Sequence, residues 1–66
     1  MEGWICVFSA GNVQEAEMIR GVLDENQITA ILINKQDSVY LFGDIEIYVP
    51  VEDVFSANQI INTFHA

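Results

Sequence analysis

The chain contains very little cysteine, histidine or proline. Its 66 residues include one cysteine, Cys6, one histidine, His65, and one proline, Pro50. A single cysteine excludes an internal disulfide framework and a cysteine-rich zinc site, and it fits a reducing compartment. The cysteine content therefore favours a cytoplasmic location.

Positive charge is also scarce. Only Arg20 and Lys35 balance ten acidic residues, which leaves a formal net charge of −8. Such a chain repels polyanions at long range, so nucleic acid and anionic membranes are poor partners. We interpret the acidity mainly as a source of solubility for a small chain that is 52% apolar.

Long apolar runs are missing as well. No run approaches the ~18 residues of a membrane span. The start, Met1-Glu2-Gly3-Trp4, has neither the basic region nor the long apolar stretch of a signal peptide. We expect one cytoplasmic domain over residues 1–66, close to the smallest size at which a single core folds unaided.

No set of catalytic residues can be recognised. Cys6 lies within an apolar segment, where we expect it to pack, and His65 lies beside the last residue, where we expect it to be exposed. A reactive thiolate needs an accessible, electropositive surrounding, and no basic residue is near Cys6 in sequence. The sequence therefore predicts a protein that is not an enzyme, with no cofactor and no metal site. An enzyme that uses Cys6 is the least favoured alternative.

The chain is rich in apolar segments that have the pattern of β-strands. Residues 4–9 and 29–34 contain continuous apolar runs, which are typical of strands buried on both faces, and residues 45–49 alternate as a third strand. Asn12 is a candidate N-cap, with Glu15 three residues later, for a helix that ends near residue 26. A second helix is expected to begin near residues 52–53. Apolar residues at helical spacing predict the buried stripes of the two helices: Ala16, Ile19, Val22 and Leu23 in the first, and Val54, Ala57, Ile60, Ile61 and Phe64 in the second.

This order of elements restricts the topology. A helical crossover makes the first two strands parallel, and a loop connection makes the third strand antiparallel to the second. With the third strand in the middle, the sheet order is 1-3-2. The predicted fold is an abbreviated ferredoxin-like βαββα sandwich of the α+β class, with both helices on one face of the sheet.

The uncovered sheet face is the predicted interaction surface. It carries Glu46 and Tyr48 of the third strand. The first strand contributes either Ile5 and Val7 or Trp4, Cys6 and Phe8, and we favour the second of these sets. Exposed apolar patches and free sheet edges usually mark interfaces, and the first strand is also an edge. We expect a homodimer, or binding to another protein, through this candidate interface: Trp4, Cys6, Phe8, Glu46 and Tyr48.

The connection after the second strand is a candidate recognition loop. It places the only lysine among amide, carboxylate and hydroxyl groups, and such loops often carry binding residues. The alternative is a loop that hydrogen-bonds to itself. The residues of the candidate loop are Asn34, Lys35, Gln36, Asp37, Ser38 and Tyr40.

Several segments together resemble a known family. They are residues 15–19 (EAEMI), 21–23 (GVL), 27–30 (QITA) and 48–53 (YVPVED). They are similar to small bacterial domains of the DUF2007 type, described as prokaryotic signal-transducing proteins and remotely similar to PII-type regulators. The resemblance implies a compact α+β sandwich that often pairs with itself and has a regulatory or adaptor role. A small-ligand sensor for a metabolite or nucleotide remains the alternative function.

Overall fold

The computed structural model describes residues 2–35 and 45–65, and it shows the predicted α+β architecture. A short 3-10 helix precedes the last α-helix. The elements are β1 (Trp4–Ala10), α1 (Val13–Glu25), β2 (Ile31–Asn34), β3 (Ile45–Pro50), the 3-10 helix (Val51–Asp53) and α2 (Val54–His65).

The three strands form one sheet in the order β1-β3-β2. β3 pairs antiparallel with both neighbours, so β1 and β2 run parallel to each other. The predicted order is confirmed. β2 begins at Ile31 rather than at Thr29, because the chain is still leaving the turn after α1 and Ile31 is the first residue to pair with β3.

Both ends of α1 are fixed by local hydrogen bonds. Asn12 is the N-cap as predicted, and its Oδ1 accepts a hydrogen bond from the Glu15 backbone N–H at 2.7 Å. At the other end, Gln27 N–H donates to Asp24 O and Ile28 N–H donates to Leu23 O, both at 2.9 Å. This pair of bonds is a Schellman motif, in which Gln27 takes the left-handed conformation with φ of 65°.

The core lies between the two helices and one face of the sheet. In β3, Ile45, Ile47 and Val49 are at most 1% exposed, while Glu46 and Tyr48 point to the other face. This is the alternation that the sequence predicts for a half-covered strand. Among residues 2–35 and 45–65, the buried apolar residues are Ala10, Ala16, Ile19, Leu23, Ile28, Ile45, Ile47, Val49, Ala57 and Ile61.

A β-bulge in β1 changes which side chains reach each face. Cys6 pairs with Tyr48 but Phe8 pairs with Ile47, so Val7 is an extra residue without its own partner in β3. Val7 and Phe8 both pack against the core. The prediction that Phe8 shares a face with Trp4 and Cys6 is therefore wrong, because simple alternation does not hold across the bulge.

Two further predictions about burial are wrong. Cys6 was expected to pack, yet it is exposed, because its register with Tyr48 places it on the face away from the helices. Phe64 was expected in the buried stripe of α2 but is 42% exposed. It lines an open groove between the C-terminal halves of α1 and α2 instead of reaching the sheet.

Candidate functional site

The candidate site is the face of the sheet that lies opposite the helices, here called the open face. Residues that pair directly across neighbouring strands share a face, so the register identifies its members. In the part of the chain that the structure describes, both helices pack against the other face. The open face consists of Trp4, Cys6, Ser9, Ile31, Ile33, Glu46, Tyr48 and Pro50.

A polar cluster of three side chains lies on the open face. Lys35 Nζ is 3.1 Å from Glu46 Oε1, and the Tyr48 hydroxyl donates a hydrogen bond to the same oxygen at 2.7 Å. The alternation of β3 brings Glu46 and Tyr48 to one face, and Lys35 follows directly after the end of β2. One carboxylate oxygen of Glu46 therefore interacts with both the ammonium group of Lys35 and the hydroxyl group of Tyr48.

These contacts shift the pKa values of all three groups. The hydrogen bond from Tyr48, followed by that from Lys35, lowers the pKa of Glu46. The hydrogen bond to Glu46 and its negative charge raise the pKa of Lys35. The same carboxylate raises the pKa of Tyr48. At neutral pH the cluster is an ionised lysine–glutamate pair with a protonated tyrosine.

Apolar side chains flank the polar cluster. Trp4, Ile31 and Ile33 are each partly exposed on this face. Cys6 is exposed beside them, and its thiol donates a weak hydrogen bond to the Phe8 carbonyl oxygen at 3.5 Å. The open face therefore combines a charged cluster with apolar side chains.

The structure brings together four of the five residues predicted for the interface. Trp4, Cys6, Glu46 and Tyr48 lie on the open face, and Phe8 does not. Sequence reasoning did not single out Ile31 and Ile33. Their spacing of two residues within β2 was the available signal, but the continuous apolar run did not reveal which residues face outward.

Only part of the candidate recognition loop can be placed. Asn34 ends β2 in register with Ile45, and Lys35 joins the polar cluster. The remaining predicted loop residues, Gln36, Asp37, Ser38 and Tyr40, lie outside the described residues.

The described residues also bear on two other kinds of site, a metal site and a membrane span. Across residues 2–35 and 45–65, no three histidine, cysteine, aspartate or glutamate side chains are grouped so that they could hold a metal ion. Within the same residues, no helix has the length and apolar character needed to cross a membrane.

The fold places the protein in the class of small α+β sandwiches in which the helices cover one face of the sheet. The model of the DUF2007 family, described as "Putative prokaryotic signal transducing protein", matches residues 4–65. That match covers nearly the whole chain, and the chain therefore belongs to this family. No curated protein and no solved structure matches the chain.

Proposed function

We propose that this protein is a non-enzymatic regulatory or adaptor module of signal transduction that acts by binding proteins, beginning with a second copy of itself. The description of the family supports the signalling role. The observation that carries the proposal is the open face, where partly exposed Trp4, Ile31 and Ile33 lie on the same surface as the Lys35–Glu46 ion pair. Surfaces with apolar and aromatic side chains beside a few charges are typical of interfaces.

The charges on the open face suit pairing between identical copies. In a two-fold symmetric dimer, a contact between residue i of one copy and residue j of the other is repeated with the two copies exchanged. Lys35 of one protomer can therefore approach Glu46 of the other, while the second pair forms by symmetry. Elsewhere the high negative charge of the chain opposes contact between copies. At this ion pair a lysine offsets the negative charge, so contact between copies is opposed less here.

The size of the open face sets the expected strength of pairing. A six-residue strand such as β3 extends over ~20 Å, and three strands span roughly 15 Å across, including side chains. The face therefore covers about 300 Å², below the ~800 Å² per partner of a standard stable interface. We expect a weak, reversible dimer that forms in the micromolar to millimolar range.

The pKa shifts in the polar cluster favour binding over acid–base catalysis. A general acid or base works best with a pKa near the working pH. Here the pKa of Glu46 is lowered, while the pKa values of Lys35 and Tyr48 are raised, so all three move away from neutrality. The contacts keep the charges fixed, which suits a recognition surface.

The alternative function, a small-ligand sensor, is less well supported by this geometry. Lys35 and Tyr48 are the donors that a carboxylate metabolite would need, but both already contact Glu46. A thermal-shift panel of nucleotides and amino acids tests the alternative. A ligand present at 100 times its Kd adds about 2.7 kcal/mol of stability, and such a shift would favour the sensor.

The dimer can be tested by exchanging charges across the ion pair. Light scattering and sedimentation would follow the wild type, Lys35→Glu, Glu46→Lys and the double variant over a wide concentration range. We expect each single variant to weaken dimerisation, and the double variant, or an equimolar mixture of the two single variants, to restore it. Arg20→Glu is the matched control, because it makes the same change in charge on an exposed surface of α1.

Two results would overturn the proposal. One is a wild-type protein that stays monomeric up to millimolar concentration. The other is a dimer that Lys35→Glu weakens no more than Arg20→Glu does, since the effect would then reflect only net charge.

A further inference from the structure

A second surface lies on the helical side of the molecule, away from the open face. It is a groove of about 330 Å³ between the C-terminal halves of α1 and α2. Its lining is mainly apolar. The lining residues are Val22, Asn26, Gln59, Ile60, Thr63 and Phe64.

The apolar surface continues along α1 beyond the groove. Met18 lies one turn before Val22 on the same side of the helix and is 56% exposed. From Met18 to Asn26 the helix rises about 12 Å. Together with Phe64 on α2, this strip is long enough to contact two turns of another helix.

Acidic side chains border this strip. Glu15, Met18, Val22 and Glu25 follow one another at spacings of three and four residues, so they lie along one side of α1 with the two glutamates at its ends. The only basic residue of α1, Arg20, is 2.6 Å from Glu17 and is already paired. The groove and the strip that extends it along α1 therefore form an apolar surface with a negative charge at each end of the strip.

The charge pattern decides between possible occupants. A second copy of this chain carries the same acidic α1 and a net charge of −8, so it would be repelled. An anionic membrane would be repelled for the same reason. A partner segment with apolar residues on one face and lysine or arginine beside them fits both features of the groove.

We propose that the groove between α1 and α2 docks a basic amphipathic helix of a partner protein. Phe64 and Ile60 contact its apolar face, and Glu15 and Glu25 attract its basic flanks. This surface is separate from the open face, so one molecule can pair with its copy and bind a partner at the same time. The two proposals can therefore fail independently.

The test uses two designed, fluorescein-labelled helical peptides and fluorescence anisotropy. One peptide presents leucines on one face with lysines beside them, and the other has every lysine replaced by glutamate. We expect only the lysine peptide to bind, with an affinity that falls as salt is raised. In NMR spectra of the complex, the methyl groups of Val22 and Ile60 should shift while those of Ile31 and Ile33 do not.

Two alanine variants localise the binding. Phe64→Ala should weaken binding of the lysine peptide at least about tenfold, the loss of one interface anchor. Phe55→Ala is the matched control and should not weaken it, because Phe55 is a phenylalanine of the same helix, 73% exposed, and does not line the groove. Equal effects of the two variants would overturn the proposal, as would equal binding of the glutamate peptide. The proposal would also be overturned if a small apolar compound, but neither peptide, shifted the methyl signals of Val22 and Ile60. That result would indicate a ligand pocket.

Discussion

Replacing Ile47 with alanine tests how much the covered face of the sheet contributes to stability. Ile47 lies in the central strand and is fully buried in the core, to which both helices contribute side chains. The change removes three carbon groups at about 0.8 kcal/mol each and leaves a cavity, so we expect a loss of about 3–4 kcal/mol. A 66-residue domain has a total stability of about 3–10 kcal/mol. The variant should therefore melt at least ~15 °C lower than the wild type.

The matched control is Ile5→Ala. Ile5 pairs with Val49 and so shares the face of Ile47, but it is 43% exposed near the end of β1. With about half the burial and no closed cavity, its loss should be about 1 kcal/mol. Urea unfolding followed by circular dichroism measures both. If Ile47→Ala does not fold, Ile47→Val should still cost about 1 kcal/mol. An equal loss for the two alanine variants would refute the assignment of the core.

Three further predictions concern local contacts. Tyr48→Phe should raise the pKa of Glu46 towards its ordinary value, because it removes the main hydrogen bond that lowers it; carboxyl-carbon NMR measures this titration. In the wild type, the stability that Glu46 contributes is present above its unfolded pKa and is lost as the pH falls through the lowered folded pKa. Asn12→Ala should cost about 1 kcal/mol in urea unfolding through the lost N-cap, whereas Asn62→Ala, on the exposed side of α2, should cost little. Gln27→Gly should stabilise the fold by about 0.5–1 kcal/mol, seen as a higher Tm, because glycine takes a φ of 65° without steric cost; a lower Tm would contradict this reasoning.

Local chemistry explains why much of the fold could be predicted from the sequence. The alternation of Ile45, Ile47 and Val49 gives the buried face of β3 directly, because strand geometry has a period of two. Asn12 has the side chain that a helix N-terminus requires, and the structure shows the expected bond. The strand order follows from how the connections restrict pairing.

Other features depend on contacts that no local pattern encodes. The bulge at Val7 is visible only once β1 is aligned with β3, and it moves Phe8 to the core while Cys6 stays exposed. The membership of the open face was therefore only partly predicted. Phe64 has the correct helical spacing for burial, but it lines the open groove between α1 and α2 and stays 42% exposed.

The bulge in β1 also has a consequence for how the protein can assemble. A regular outer strand presents an unbroken ladder of backbone donors and acceptors, which invites one molecule after another to add on and grow into fibres. The bulge at Val7 bends and twists β1 near its middle, so its outer edge is less regular than that of a straight strand. The addition of further molecules along this edge is thereby discouraged.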